Sequence, residues 1–489
     1  MTLAPPDAGR RGTAAPPPLR PRPDTVVGPH DGPAGWPAAR VATAVREGVV
    51  TATSVLEAHL ARTALHDPVL HAFVHLDVER ARAQARDVDD AVARGVDPGP
   101  LAGVVFAVKD NVDVAGEVTA CGSLAHPGRP AVRDAVAVAR LRAAGAVLLG
   151  RTTMDELAMG ASTVTAATGP AHNPWDPQRS PGGSSGGSAV AVAAGLVSFA
   201  LGTDTGGSVR EPAAQCGIVG LAPTPGLVSA AGVVPYARGF DRVGPLTRDA
   251  ATATLVLSVL AGHGDDEHRA DVEQRLGLGS PVLDGLRLGV VRELGELPNS
   301  AGVRERVAAL LARAEEAGAE LVPVSVPQAR EALEAYLVVT SVLVAPVVAP
   351  WVATGRAGAH VVRRHRDGRT LAAGSPTLER ARLVRRRLRL ALERALEDVD
   401  LLVSPTMPTT APLLSALATP GGAEGITDPA LAPYTDCWTV VANMAGLPAL
   451  SLPAGHSHED GLPVGAMLTG RRGGDALLLA AAEALAETD

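Results

Sequence analysis

The sequence predicts an α/β protein built around one large sheet. From residue 36 onward, short apolar runs rich in β-branched residues alternate with longer stretches of helical period. Glycine-rich turns join them, and no internal repeat or linker interrupts the pattern. At 489 residues the chain can bury a large core, as one big domain or as two or three smaller ones. It is 46 % hydrophobic but only 2 % aromatic, so Ala, Val and Leu have to fill that core.

Residues 1–35, rich in Pro, Gly, Ala and Arg, are expected to form a disordered tail, and residues 36–489 a single folded domain. Ser54 is the expected N-cap of a helix over Val55–His66, and Val78–Ala93 is a second amphipathic helix closed by Gly95. Gly103–Lys109 is a buried strand that runs directly into its lysine. Asp134–Ala144 is a helix, Ala146–Gly150 a short strand, and Thr153 caps a helix over Met154–Met159. The apolar run Ala189–Gly195 leads to a buried strand, Val197–Leu201, and the turn Asp204–Ser208 enters another helix. Further strands are expected at Leu286–Val291, Leu321–Val326 and Leu401–Val403. A long helix covers Ala329–Ala349, bent or broken by Pro346 and Pro350, and another covers Leu378–Glu397. Leu447–Pro453 and Leu462–Leu468 are late strands, and Asp475–Ala486 is a closing helix.

Bulk properties remove several classes. A net charge of −8, with both signs interspersed, gives no general footprint for nucleic acid. Three widely spaced cysteines (Cys121, Cys216, Cys437) without a CxxC pair suit a reducing cytosol, with no disulfide framework or structural zinc site. Arg10-Arg11 is followed by Pro16-Pro17-Pro18 rather than an apolar segment, and no apolar run of membrane-spanning length is expected. A cytoplasmic protein with no membrane partner follows.

The chemistry concentrates between Ser180 and Arg210, where two glycine-serine clusters, Gly182–Ser188 and Gly206–Ser208, flank the apolar run. Backbone N–H groups and hydroxyls converge readily in such turns. Of the 44 basic residues 43 are arginine, and the lone lysine is Lys109. Lysine can do one thing arginine cannot, which is to lose its proton near neutral pH when buried and act as a base. Ser208 in a strand-to-helix turn could be a nucleophile with its oxyanion held by the turn amides. No histidine lies near it in sequence, and a deprotonated lysine with a relaying hydroxyl, from Ser184 or Ser185, is an alternative to Ser-His-Asp.

GGSSGGSAVAVAAGLVSFALGTDTGGSVREPA, with FAVKDN upstream, resembles the amidase signature family of Ser–cis-Ser–Lys hydrolases over residues 36–487. The resemblance implies the family's fold, one large twisted mixed sheet covered by helices on both faces. It makes Ser208 the nucleophile, Ser184, 24 residues upstream, the relay after a cis peptide bond, and Lys109 the base. Thr205, Gly206, Gly207 and Ser208 would supply oxyanion-hole amides, Ser185 would hydrogen-bond the lysine, and Asp204 and Arg210 would brace the loop. Met159, Gly160, Tyr336 and Asp436 are its candidate substrate contacts. No metal or organic cofactor is implied.

Thr153–Gly160, Asp241–Arg248 and Asp436–Pro453 resemble the A subunit of the tRNA-dependent amidotransferase, while Gly195–Thr205 and Thr224–Pro235 resemble the allophanate and biuret branch. The stretch SVLVAPVVAPWVATGR after Tyr336 departs from the charged stretch expected of a glutamine site. The sequence therefore favours a stand-alone amidase acting on a small carboxamide, with a homodimer as the possible assembly. The alternatives are a glutamine-hydrolysing amidotransferase subunit, the one setting in which nucleic acid is expected nearby, and a non-catalytic binding protein. His456 and His458 are expected in solvent rather than on a metal, and His360 and His365 on the surface. Arg380–Arg394 is expected to be a packed helix with a basic outer face, with an RNA or acidic-partner contact as the lesser alternative, and Cys216 an inert buried thiol.

Overall fold

The computed structural model describes residues 22–126, 128–262, 283–296, 298–372, 375–417 and 437–486. Its strands in chain order are β1 (Phe73–Leu76), β2 (Val105–Lys109), β3 (Val147–Thr152), β4 (Phe199–Asp204), β5 (Val219–Ala222), β6 (Arg242–Thr247), β7 (Arg287–Val291), β8 (Glu320–Val324), β9 (Leu401–Pro405), β10 (Ala449–His456) and β11 (Pro463–Thr469). Among the described residues these eleven form a single mixed sheet, ordered β1-β3-β2-β4-β6-β5-β10-β11-β9-β7-β8. Strand β2 lies between β3 and β4 and is parallel to both. All three are buried at every position, which is why they read as continuous apolar runs rather than as alternation. Ligand sites form beyond the carboxyl ends of such strands, and Lys109 is the last residue of β2.

Helices flank the sheet. One core unites the helices Ala38–Arg46, Ala52–Leu70 and Asp475–Ala486 with the central strands, and a second joins Ala332–Val352, Pro376–Asp398 and Val440–Ala445. Small side chains fill both, with Phe106 and Phe199 stacked at 5.3 Å across the β2–β4 pair as a rare aromatic contact. The helices Val78–Ala93 and Asp475–Ala486 fall where the periodicity put them.

Other expectations are corrected. The first long helix starts earlier, at Ala52, and its cap is Thr51, whose hydroxyl accepts from the Ser54 amide at 3.0 Å. In place of a helix over 154–159 there is a single 3-10 turn, Glu156–Ala158. Asp155 diverts this segment by accepting from the Ser162 and Thr163 amides at 3.1 and 2.9 Å, and Leu157 adopts φ 52°. Residues 22–35 are not a free tail. Val26 and Val27 are buried, the Val27 amide donates to Ala193 O at 3.0 Å, and Gly32–Gly35 forms a 3-10 turn. Two adjacent valines give this stretch the apolar area that its proline-rich composition hides; residues 1–21 lie outside the described residues.

The helix Ala332–Val352 runs through Pro346 and Pro350 without ending at either. The stretch Pro327–Val352 that contains it is long and apolar enough, by length and composition, to cross a membrane, contrary to the expectation, yet half of its most apolar part is buried inside the protein. Ala335, Val339, Val344 and Val348 join Val384 and Leu388 of Pro376–Asp398 in the second core. Strands β1, β5 and β6 and the helix Ala301–Glu316 went unrecognised in the sequence, the strands because runs of four to six residues carry little period.

Candidate active site

Lys109 is fully buried. Strand β4 runs parallel beside β2, so its end reaches the level of the lysine. Nζ lies 2.7 Å from Ser184 Oγ, 3.0 Å from Thr203 Oγ1 and 3.4 Å from Thr203 O. Burial in a dry site brings its pKa down from 10.5 to about 7, while the charges of Asp155, Asp204 and Asp241 limit the fall. Half of the amine is then uncharged at neutral pH.

The three oxygens decide what the uncharged amine can do. Asn111 Nδ2 donates to Thr203 Oγ1 at 3.0 Å, and a lysine N–H takes that oxygen's other lone pair. A second N–H faces Thr203 O. The shortest contact is to Ser184 Oγ: the ammonium form donates across it, and once the amine is uncharged its lone pair can accept from the Ser184 O–H instead. The amine therefore polarises one hydroxyl, and the group that could relay a proton is Ser184.

The expected cis bond is present between Gly183 and Ser184. Ser185 does not reach the lysine as expected. Its hydroxyl donates to Thr203 O and accepts from the Thr203 amide, both at 3.3 Å, and its own amide donates to Ser208 O at 3.2 Å. Thr203 holds the place assigned to Ser185. It was missed because the strand was expected to stop at Leu201, whereas β4 continues to Asp204.

Ser208 sits between β4 and the helix Arg210–Cys216, next to the Ser184–Ser185 backbone. Its hydroxyl makes no hydrogen bond among the described residues, so the link to Ser184 is open here. Likewise, no described acceptor takes the amides of Thr205, Gly206, Gly207 or Ser208. Four available N–H groups in one turn can hold an oxyanion. Two glycines shape the turn. Gly207 has φ 145°, and a Cβ on Gly206 would come 2.5 Å from the phenol oxygen of Tyr336.

The turn is anchored on both sides. Thr205 Oγ1 donates to Asp241 Oδ1 at 2.7 Å, and Thr439 Oγ1 to Gly206 O at 2.6 Å. Arg210 clasps Asp204 with Nε and NH2 at 3.1 and 3.0 Å, both side chains wholly buried. Burial pushes the Asp204 carboxyl up, but Arg210, Arg242 and Asn443 outweigh it and hold the group at about 2. Asp204 and Arg210 thus form a buried ion pair between the end of β4 and the helix Arg210–Cys216.

Tyr336 is buried against Gly206, and Met159 lies in the same apolar cluster with Phe240 and Cys121. Gly160 packs on the Asp155 carboxyl, and Asp436 lies outside the described residues. Sequence reasoning missed Asn111, Asp155 and Asp241 as supports, although each stands in a stretch already singled out (FAVKDN, Thr153–Gly160 and Asp241–Arg248). The histidines of 456–458 are engaged elsewhere: His456 packs on the Trp175 ring at 4.7 Å, and His458 Nδ1 lies 2.7 Å from Glu305. His360 and His365 are half-buried rather than surface residues, His365 Nδ1 lying 2.9 Å from Ala345 O. Cys216 is buried, and its thiol is pushed up by desolvation.

The Amidase family model matches residues 54–479. The chain is 40 % identical over 453 residues to the glutamyl-tRNA(Gln) amidotransferase A subunit of Synechococcus sp. (strain RCC307), covering 87 % of this chain and 91 % of that one. Among solved structures it is similar to the peptide amidase of Stenotrophomonas maltophilia, at TM-score 0.78 and 31 % identity over 94 % of this chain and 97 % of that one. It is also similar to the glutamyl-tRNA(Gln) amidotransferase A subunit of Thermotoga maritima, at TM-score 0.70 and 32 % identity over 88 % and 90 % of the two chains. A sheet that ends a strand on a buried lysine against a cis-peptide serine, and a family match over most of the length, lead to one assignment: the chain belongs to the amidase signature family of hydrolases, which act on carboxamide bonds.

Proposed function

We propose that Ser208 is acylated by a carboxamide and then hydrolysed, with Ser184 as proton relay and Lys109 as base. The observation that carries this reading is the sole lysine of the chain, buried, with Nζ 2.7 Å from Ser184 Oγ. As Ser208 Oγ attacks the carbonyl carbon, its proton passes to Ser184 Oγ, and the Ser184 proton passes to Lys109 Nζ. The oxyanion rests on the amides of residues 205–208. Collapse breaks the C–N bond, and the proton on Nζ returns through Ser184 to the leaving nitrogen, which departs as ammonia or an amine. Water then attacks the acyl ester by the same route, giving the acid and free Ser208.

For the substrate we favour the amide of glutamine, in the role of an amidotransferase A subunit that releases ammonia for a partner. Curated relatives of that name are 40–41 % identical over about nine-tenths of their length, and this support outweighs the preference for a stand-alone amidase drawn from sequence alone. A free-standing small-amide hydrolase remains the second reading. The apolar stretch 341–356, most of it on the same helix as Tyr336, and the higher TM-score to the peptide amidase favour it. Three buried free thiols suit a reducing cytosol under either reading.

The test is ammonia release from glutamine and from a panel of simple amides, with the chain alone and with companion subunits plus charged tRNA. Glutamine turnover that needs the companions supports the first reading; turnover of simple amides by the chain alone supports the second. Lys109→Ala or Ser208→Ala with wild-type rates overturns the mechanism, since a loss of several orders of magnitude is expected.

A further inference from the structure

A cavity of about 650 Å³ is lined by residues that take no part in the chemistry above. Arg238, Arg382, Arg385, Arg386, Arg389 and Arg472 all line it, and no Asp or Glu does. Arg382 and Arg389 have carboxylate neighbours one helical turn away, Glu379 and Glu393, in exposed pairs. For Arg238, Arg385, Arg386 and Arg472 no carboxylate partner exists among the described residues. Four uncompensated guanidinium groups around one hollow repel each other, and an anion in the hollow would relieve that repulsion.

The cavity is also prepared for a particular kind of anion. Arg385 lies over the Phe240 ring at 4.1 Å and spends Nε on Met444 O at 3.1 Å, so its outer nitrogens are held in place with no other described partner. Burial lowers its pKa, and neighbouring Arg389 lowers it further, as expected for a cation still lacking its counter-charge. Val339, Val342, Leu343 and Leu378 make an apolar floor beneath the arginines. Planar guanidinium forks match the paired oxygens of phosphate, and a volume near 650 Å³ is that of a site for a small molecule.

We propose that this cavity binds a small polyphosphate anion, with the phosphates on the arginines and any organic body on the apolar floor. The assignment goes beyond amide hydrolysis and does not depend on it.

The test is calorimetric titration of the full chain at low ionic strength with two probes, inorganic tripolyphosphate and adenosine triphosphate. The first is a bare polyphosphate and the second carries one on an organic body. Saturable one-to-one binding of tripolyphosphate is expected, and tighter binding of adenosine triphosphate shows that the floor is used. Arg386→Glu and Arg472→Glu alter exposed side chains without carboxylate partners and should each weaken binding at least tenfold. Arg387→Glu and Arg394→Glu change exposed arginines of the same helix that do not line the cavity, and should leave it unchanged. Equal losses in all four variants, or no saturable binding of either probe at millimolar concentration, overturn the proposal. So does binding of an RNA oligonucleotide that tripolyphosphate fails to displace.

Discussion

Replacing Lys109 by methionine separates the two consequences of burying that amine. In the folded chain its pKa is about 7, against 10.5 for the free side chain. Folding therefore expels a proton between those values, and the unfolded chain binds more protons throughout that window. The contribution of Lys109 to stability is least favourable below pH 7, improves as pH climbs from 7, and levels off near 10.5. At about 1.4 kcal/mol per unit, the full penalty is on the order of 5 kcal/mol, and roughly 2 kcal/mol of it disappears between pH 7 and pH 9, half of the folded amine being uncharged already at pH 7. Lys109→Met carries no such penalty. Its advantage over the wild type in urea unfolding should shrink by roughly 2 kcal/mol over those two pH units. Amide hydrolysis should be lost in the variant. In the wild type kcat/KM should fall about tenfold for each unit below pH 7, following the uncharged fraction. A stability difference that stays level from pH 7 to pH 9 would refute the reasoning, because it would mean the amine is as well solvated folded as unfolded.

Four further outcomes are expected. Thr203→Val removes an acceptor of the ammonium and the partner of Asn111, so the acidic limb of the pH–rate profile should move below 7; unfolding should cost about 1–3 kcal/mol less, and a limb moving upward would contradict the hydrogen-bond assignment. Gly206→Ala forces a methyl against the Tyr336 phenol, so kcat should drop at least tenfold while circular dichroism stays native; an unchanged kcat would remove this turn from the chemistry. Arg210→Met leaves buried Asp204 without its ion-pair partner, and calorimetry should show a loss of about 3–5 kcal/mol, larger than for any exposed arginine. Alkylation of the native protein should leave Cys121, Cys216 and Cys437 unmodified and the denatured protein should yield three thiols; rapid native labelling of Cys216 would contradict its burial.

Much of the site was legible as local pattern. A lone lysine at the end of an apolar strand and two glycine-serine clusters around a buried run are features of neighbouring residues, and so was the turn feeding Arg210–Cys216. What failed was anything set by contact at a distance. Thr203 was passed over because a strand end cannot be fixed to a residue or two without its neighbours. Asp155 breaks a helix that its own sequence favours, because amides seven and eight residues on compete for its carboxylate. Val26 and Val27 look like part of a proline-rich tail until Ala193 and Gly195 offer them a surface.

By itself the sequence determined the α/β class and the position of the lysine on a strand end, because both follow from the order and spacing of apolar residues along one chain. The tertiary structure alone decided which hydroxyls face Nζ, which acids hold its pKa near 7, and that six arginines from three separate segments share one hollow. Those outcomes depend on directions of side chains brought together from tens to hundreds of residues apart, and burial gives each of them its strength by removing water from between the charges.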